Sequence, residues 1–405
     1  MTRLAREHIL QLCLEDWENV VAMGKKSWIR RCGMDIVAKF LVLLINSFGR
    51  RGWEKTVYVD EVNNLSMREN LRKTAAITHG ENARFLVFNR IEHENHCRTG
   101  AIWTAGAILG VAIASSFLVA LFAGKKEGVN RRLMVFLIWW FEQYVSRLAD
   151  ARVIVLMSDH HFFSAVAAMQ PHLESVVLQH GLIQDERFYK PIRANHFFAW
   201  SEKSVSLVCS RKAIPTGTYK FTAKGCWDNA SATFASAKKV LLCLSSSKSV
   251  DEIQKRLDPL LLLQEKYGFD LMVKMHPGSM FSFENLKRST CGQTIELYKE
   301  ERIEDLDFDF AVVEQSTAVL DVICLSTPLV ILGDCGDGYF NEYRNLIPLS
   351  FSSEEEVDLI ESFSIDRFRA GYELLKRNEI SGSGPTIREC LLRLEEGGRL
   401  PQFGG

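Results

Sequence analysis

Short apolar runs alternate along this chain with longer stretches in which apolar residues recur at helical spacing. In the first half, runs rich in β-branched residues occupy positions 56–59, 84–88, 153–157, 175–178 and 196–200. In the second half, similar runs occupy positions 239–244, 271–275, 294–297, 310–313 and 329–332. The alternation predicts strands separated by helices, and therefore an α/β protein with mostly parallel sheets covered on both faces.

The two series of runs are separated by a stretch with a different composition. Residues 211–238 contain Pro215, Gly217, Gly225 and many small side chains, which is typical of a passage between domains. The sequence therefore predicts an N-terminal domain over 1–210 and a C-terminal domain over 239–405. We expect two Rossmann-like domains that face each other across a cleft.

Polar side chains follow the predicted strands of the second half. His276 comes directly after a strand, and Pro277 fixes the backbone beside it, so the imidazole is placed to donate to a phosphate oxygen. Ser316 and Thr317 stand where the strand at 310–313 turns into a helix, which favours an anion site. Ser246 belongs to a hydroxyl-rich loop that we expect to form the other side of the same pocket. The alternative is that these residues are a turn histidine, helix caps and a flexible polar loop.

A second group follows the strand at 175–178 in the N-terminal half. It consists of Gln179, His180 and Gly181, and we expect Gly181 to permit a tight turn. A neutral His180 can accept a proton from an acceptor hydroxyl, whereas a protonated one can hold a donor carboxylate. The alternative is a histidine bonded to a loop carbonyl.

Asp159 follows the strand at 153–157 and is a further catalytic candidate. Its carboxylate is able to act as a base, as a nucleophile or as the orienting partner of a histidine. The alternative is that Ser158 and Asp159 cap the helix that starts near Phe162, and for Ser158 we favour capping.

Composition and charge narrow the function classes. The 405 residues carry a net charge of −1, which argues against a general nucleic-acid binder. Ten cysteines without CxxC or zinc spacing, together with the lack of a secretory pattern at the start, favour a reduced, cytoplasmic setting. The aspartates at 305, 307 and 309 have DxD spacing but flank a strand entry, and no metal site is predicted.

One segment bears on membrane contact. Residues 101–122 contain no charge over 22 positions, which is long enough to span a bilayer. We favour a buried or membrane-touching helix, because strands that need covering lie on both sides. Trp139 and Trp140, near lysines and arginines, suggest peripheral contact with a membrane surface.

These motifs resemble those of GT-B glycosyltransferases of bacterial surface polysaccharides. The closest resemblance is to families that use CMP-activated acidic sugars, namely the β-Kdo transferases and the bacterial sialyl- and polysialyltransferases. The resemblance implies that His276, Ser316 and Thr317 bind the CMP phosphate and that Glu314 contacts the ribose. It covers roughly residues 153–338 through short motifs.

The chain departs from the sialyltransferase pattern at the expected general base. That pattern has an acidic pair before a glycine, whereas this sequence has Gln179 and His180 before Gly181. The QHG turn is more similar to a Kdo-type enzyme, in which Asp159 is the candidate nucleophile of a retaining mechanism. The choice between inversion and retention stays open.

The function implied is transfer of a Kdo-type or sialic acid-type sugar from a CMP donor to a lipid-linked or oligosaccharide acceptor in capsule or lipopolysaccharide O-antigen synthesis. The donor's single phosphate fits the absence of a predicted metal or cofactor. We expect a cytoplasmic enzyme with peripheral contact at the inner membrane and no nucleic-acid partner. The alternatives are a CDP-glycerol-type polyol phosphotransferase and a non-catalytic membrane assembly subunit.

Overall fold

The computed structural model describes about three fifths of the chain. The described residues are 55–61, 65–87, 138, 141–142, 145–146, 150–183, 189–221, 234–245, 250–276, 295–298, 301–332, 339–350 and 353–401.

The first half of the chain forms one parallel sheet with helices between its strands. Its strands are β1 (Thr56–Asp60), β2 (Arg84–Val87), β3 (Val153–Leu156), β4 (Glu174–Leu178), β5 (His196–Ala199) and β6 (Ala213–Pro215), and its helices are α1 (Leu65–His79), α2 (Phe162–Ala168) and α3 (Glu202–Val208). The strands lie in the order β2-β1-β3-β4-β5-β6, and every pairing is parallel. Strand order reverses between β1 and β3, which is the kind of position where open α/β sheets bind ligands.

The second half forms a separate parallel sheet. Its strands are β7 (Lys239–Cys243), β8 (Asp270–Lys274), β9 (Ile295–Tyr298), β10 (Phe310–Glu314), β11 (Leu329–Leu332) and β12 (Leu349–Ser350), and its helices are α4 (Val250–Tyr267), α5 (Ala318–Cys324), α6 (Ser353–Glu361), α7 (Ile365–Ile380) and α8 (Ile387–Glu395). The order β12-β11-β10-β7-β8-β9 is that of a doubly wound Rossmann domain, with its switch point between β7 and β10.

The central strands are apolar on both faces because helices cover both sides of each sheet. Every residue of β3, β10 and β11 is buried, so these strands read as continuous apolar runs without alternation. All ten strands predicted from the sequence are present, each with its ends within one residue of the prediction.

Two edge strands were not predicted, and one of them changes the limits of the interdomain passage. β6 occupies the start of the stretch 211–238, which the sequence assigns to the passage, and it pairs with β5 as part of the first sheet. Its three residues are too few to show a period, and Pro215 argues against a central strand. A proline is tolerated there because β6 is the edge of the sheet. β12 has only two residues.

The last helix of the chain returns to the first sheet. Ile387, Leu391 and Leu394 of α8 are buried in the same apolar cluster as Val153 and Val155 of β3. At the end of α8, Glu395 accepts hydrogen bonds from Thr56 Oγ1 (2.5 Å) and pairs with His79 Nε2 (2.7 Å). Although α8 falls within the range 239–405 assigned to the C-terminal domain, its packing places it on the N-terminal one.

The segments considered for membrane contact are only partly described. Residues 101–122, Trp139 and Trp140 lie outside the described residues. Ile138 and Phe141, from the second apolar run, are buried in the core of the first sheet, where the Phe141 ring packs 4.7 Å from that of Phe163. Within the described residues, none of the helices combines the length and apolar character that crossing a bilayer requires.

Candidate active site

Two motifs that lie far apart in the sequence meet between the two sheets. Gly181 follows β4 of the first sheet, and Thr317 follows β10 of the second. A Cβ atom built on Gly181 would lie 3.8 Å from Thr317 Oγ1 and 3.7 Å from Tyr189 Oη. The carboxyl ends of β4 and β10 therefore face the same interdomain cleft, as the sequence predicts for its two groups of polar residues.

His180 is held in one tautomer by the first sheet. Its Nδ1 lies 3.1 Å from the carbonyl oxygen of Met157, and a carbonyl only accepts, so Nδ1 carries the proton and Nε2 keeps its lone pair. Burial, followed by the nearby charge of Lys220, lowers the pKa of His180 to about 4. Of the two predicted roles, this environment favours the neutral proton acceptor over the protonated carboxylate binder at neutral pH.

Gln179 has a structural role that the sequence did not indicate. Its buried side chain accepts a hydrogen bond from Trp200 N (2.8 Å) and donates one to the Gly181 carbonyl (2.9 Å). Its own carbonyl accepts from Trp200 Nε1 and from Asn70 Nδ2. The side chain predicted to bind the donor is thus engaged within the protein, where it fixes the turn that carries His180.

The expected role of Gly181, to permit a tight turn, also needs correction. Its backbone is not in the left-handed region, unlike that of Gly217 or Gly268, so the turn itself does not require glycine. The lack of a side chain instead leaves open the space between Tyr189 and Thr317.

The start of α5 carries the hydroxyl pair as predicted. Ser316 Oγ accepts a hydrogen bond from Ala318 N (3.3 Å). Thr317 occupies the N-cap position but makes no side-chain cap bond, so its hydroxyl is not used to cap the helix. One turn later, Asp321 projects from the same side of the helix.

His276 follows β8, on the other side of β7 from β10. Parallel strands are spaced about 4.8 Å apart, so His276 and the hydroxyl pair lie on strands about 10 Å apart. Burial, together with the charge of Lys274, lowers the pKa of His276 and favours its neutral form. Lys274 itself is buried at the end of β8 and donates to the Met275 carbonyl (3.1 Å). Pro277 and Ser246 lie outside the described residues.

Glu314 binds groups of its own domain, and the ribose contact that the resemblance implies stays a prediction. Its carboxylate is 3% exposed and accepts hydrogen bonds from Ser245 N (2.6 Å) and Ser245 Oγ (2.9 Å). It also pairs with Arg256 Nε of α4 at 3.2 Å. These partners compensate the cost of burying the Glu314 carboxylate. Through them, Glu314 links the ends of β7 and β10 at the switch point.

Asp159 is likewise engaged within its own domain. Its carboxylate accepts hydrogen bonds from the backbone N–H groups of Arg193 and Ala194 and lies 3.4 Å from His160 Nε2. The Asp159 carboxylate is buried and holds this loop in place, and its role as a catalytic nucleophile stays a prediction.

The cap of α2 comes from a different residue than expected. Ser158 Oγ accepts from His160 N (3.2 Å), whereas Glu61 accepts from the Phe163 and Ser164 N–H groups at 2.9 and 2.8 Å. Glu61 follows β1, so this cap depends on strand pairing that has no local sequence signal.

Charged residues from both domains line the cleft, and the sequence did not single them out. Glu69 of α1 pairs with Arg302 (3.2 Å), and Lys73, one turn later, pairs with Glu304 (3.6 Å). Only the spacing of Glu69 and Lys73 on one helix face could have drawn attention to them, because their partners belong to the other domain.

The aspartates with DxD spacing bind neighbouring groups of the protein. Asp309 accepts from the N–H groups of Lys238 and Lys239, and Asp307 pairs with the Lys239 ammonium at 2.9 Å. Within the described residues, no three histidine, cysteine or acidic side chains are grouped as metal ligands.

Comparisons with known proteins identify the fold. No family model matches the chain, and no curated protein matches it in sequence. Among solved structures, the UDP complex of MnaA from S. aureus superposes with a TM-score of 0.50 at 13% identity, covering 86% of this chain and 99% of that one. A provisionally named UDP-N-acetylglucosamine 2-epimerase from Listeria monocytogenes superposes with a TM-score of 0.53 at 8% identity, covering 87% of this chain and all of its own (100%). Together with the two facing Rossmann-like sheets, these similarities establish that the chain has the GT-B fold.

Proposed function

We propose that this protein is a glycosyltransferase of cell-surface glycan synthesis that transfers an acidic sugar from a CMP-activated donor. The acceptor is a glycan or glycolipid. The observation that carries the proposal is the approach of Gly181 and Thr317 across the interdomain cleft. It brings the neutral His180 and the hydroxyl-bearing start of α5 to opposite sides of one space.

In this proposal, His180 is the general base. As the acceptor oxygen forms its bond to the anomeric carbon, its proton moves to Nε2 of His180. The Met157 carbonyl supports this role, because it holds Nδ1–H and stabilises the imidazolium that forms. The bond between the anomeric carbon and the phosphate oxygen breaks at the same time, and CMP departs with the electron pair.

In this proposal, the second domain binds the CMP-sugar donor. Thr317, Ser316 and His276 would donate to the phosphate, and Pro277 and Ser246 belong to the same predicted pocket. An acidic sugar on a CMP carrier is anionic at both its carboxylate and its phosphate. The cations at the cleft, Lys274 among them, support a donor of this charge.

A calorimetric titration of the purified protein with CMP, UDP and GDP tests the donor class. We expect CMP to bind selectively and His276→Ala to weaken that binding while leaving the thermal unfolding midpoint unchanged. Preference for UDP, the nucleotide in the MnaA complex, would keep the fold and overturn the CMP assignment. Failure of the folded protein to bind any of the three nucleotides would overturn the proposal.

The base is tested separately from the donor. His180→Asn should abolish sugar transfer and spare CMP binding, because the imidazole is assigned to the acceptor hydroxyl rather than to the phosphate. A matched control is His172→Asn, since His172 is exposed and lies in the loop before β4. Transfer at the wild-type rate by His180→Asn would remove the general-base assignment.

A CDP-glycerol-type polyol phosphotransferase is the second candidate, because a neutral histidine base beside a cation-rich cleft also suits attack on a phosphorus atom. Product analysis separates the two. Sugar transfer gives a new glycosidic bond and free CMP, whereas polyol phosphate transfer gives CMP and a phosphodiester in the product.

We also propose that the enzyme works at the cytoplasmic face of the inner membrane as a peripheral protein. Cosedimentation with vesicles that contain anionic lipid tests this assignment. A variant with Trp139 and Trp140 replaced by serine should sediment less, and unchanged sedimentation of that variant would contradict it.

A further inference from the structure

Lys220 stands on the chain segment that joins the two domains. Its backbone N–H donates to Thr218 Oγ1 (3.0 Å), and its carbonyl accepts from the Lys73 ammonium (3.1 Å). Its own ammonium reaches back to the carbonyl oxygen of His180 at 3.4 Å. The segment is therefore fixed so that this side chain points toward the turn that borders Thr317.

The Lys220 ammonium has few described contacts that could balance its positive charge. It lies 5.4 Å from the Trp200 ring centre and 5.2 Å from that of Phe221, which offer weak cation–π attraction. An ammonium has three donors, and the His180 carbonyl takes one. Among the residues that the structure describes, no carboxylate stands within ion-pairing distance of it. Loss of hydration accordingly lowers its pKa, and the strongest opposing effect is the negative charge of Asp321.

Asp321 is the counterpart of Lys220 on the second domain. It lies one helical turn beyond Thr317, and its N–H bonds to the Thr317 carbonyl (3.4 Å). Burial raises its pKa, and Lys220 contributes the largest opposing attraction. Lysines at 73 and 274 and the arginine at 302 also attract it, so four cations act on the Asp321 carboxylate. Lys73 and Arg302 also pair with Glu304 and Glu69, whereas the described hydrogen bond of the Lys220 ammonium is to the neutral carbonyl of His180.

We propose that Lys220 binds an anionic oxygen of the donor and that Asp321 balances its charge before the donor arrives. The inference rests on the proposed function, and it adds a contact from the interdomain segment to those of the second domain. As the glycosyl bond breaks, the electron pair stays on the phosphate oxygen, and the ammonium stabilises it by hydrogen bonding while keeping its proton.

Opposite effects of two substitutions test the proposal. Isothermal titration with CMP should show binding weakened about tenfold or more in Lys220→Met, because a charged hydrogen bond to the ligand is lost. Asp321→Asn should tighten CMP binding several-fold, because it removes the charge that competes with the phosphate. The control is Lys212→Met, since Lys212 also donates to backbone carbonyls, of Ile192 and Ala194, but directly precedes β6, whereas Lys220 lies beyond the carboxyl end of that strand. Its CMP affinity should equal that of the wild type.

The anionic group is identified by repeating the titration with a CMP-sugar. Loss of affinity for CMP assigns Lys220 to the phosphate, whereas loss only for the CMP-sugar assigns it to the sugar carboxylate. Wild-type affinity of Lys220→Met for both ligands would overturn the inference and leave the proposed function standing. Should Lys220→Met unfold, Lys220→Gln supplies the same test, because it keeps a polar group near the His180 carbonyl without the charge. Failure of the wild type to bind CMP, UDP or GDP would overturn both.

Discussion

Lowering the pH should destabilise this protein through one histidine of the candidate site. Burial, followed by the charge of Lys220, lowers the pKa of His180 from its ordinary 6.5 to about 4. Between these two values the unfolded chain binds a proton at this position and the folded protein does not. The stability contributed by His180 is therefore fully present above the unfolded pKa and is lost as the pH falls toward the folded pKa.

The size of the effect follows from the two pKa values. The difference between 6.5 and about 4 limits the total loss to about 3.4 kcal/mol, at about 1.4 kcal/mol per pKa unit. Between about pH 7 and about pH 5 the expected loss is about 2 kcal/mol, because protonation of the unfolded chain is then nearly complete. His180→Asn removes the titration, and its amide can still donate to the Met157 carbonyl.

Urea unfolding of the two proteins, followed by circular dichroism, measures this loss. The stability difference between wild type and His180→Asn should change by about 2 kcal/mol in favour of the variant from about pH 7 to about pH 5. His196 and His276, whose pKa values burial also lowers, titrate in both proteins and cancel in the difference. Parallel pH profiles for the two proteins would refute the reasoning, because they would mean that His180 is hydrated and free to take up a proton.

Three further substitutions test other parts of the structure. Gly181→Ala should leave the thermal midpoint unchanged because its Cβ contacts are of ordinary length, whereas Gly181→Val should fill the cleft and cut turnover about tenfold or more; full turnover of the valine variant would contradict this. Glu314→Ala should cost about 1–3 kcal/mol in urea unfolding because it removes a buried carboxylate that accepts from Ser245 and pairs with Arg256, and a loss below about 1 kcal/mol would count against these contacts. Leu391→Ala should cost about 2–5 kcal/mol in the same assay, whereas the exposed Leu392→Ala should be near neutral, and equal losses would contradict the packing of α8 on the first sheet.

The strands could be predicted from the sequence because a strand that is buried on both faces appears as an uninterrupted apolar run. A strand such as β10 or β11 has to be apolar throughout, and the polar residues on either side then fix its ends. β6 was not predicted because an edge strand of three residues is too short to show such an apolar run. The return of α8 to the first sheet was equally hidden, because an amphipathic helix does not specify which of two sheets its apolar face covers.

The sequence predicted which turns come together, but it did not predict the contacts of the side chains on them. Polar residues after buried strands gave His180 and Thr317, and the fold brings their turns together. Gln179, Asp159 and Glu314 satisfied the same rule, yet each is engaged with groups that are distant in the sequence: Trp200, the 193–194 backbone, and Ser245 with Arg256. Position at a strand end therefore selects buried anchors as readily as ligand-binding groups, and only the partners distinguish them.

The distribution of charge supports the proposal that the interdomain segment contributes to the site. On one flank of the cleft, Glu69 and Lys73 of the first domain pair with Arg302 and Glu304 of the second, so these charges cancel between the domains. The charge of Lys220 is different, since its balancing carboxylate lies beyond direct contact. An anionic donor bound beside Thr317 would supply an acceptor for the Lys220 ammonium. Lys220 belongs to the segment that joins the domains. Donor binding would then draw the segment and the second domain together, which links occupancy of the site to the relative position of the two sheets.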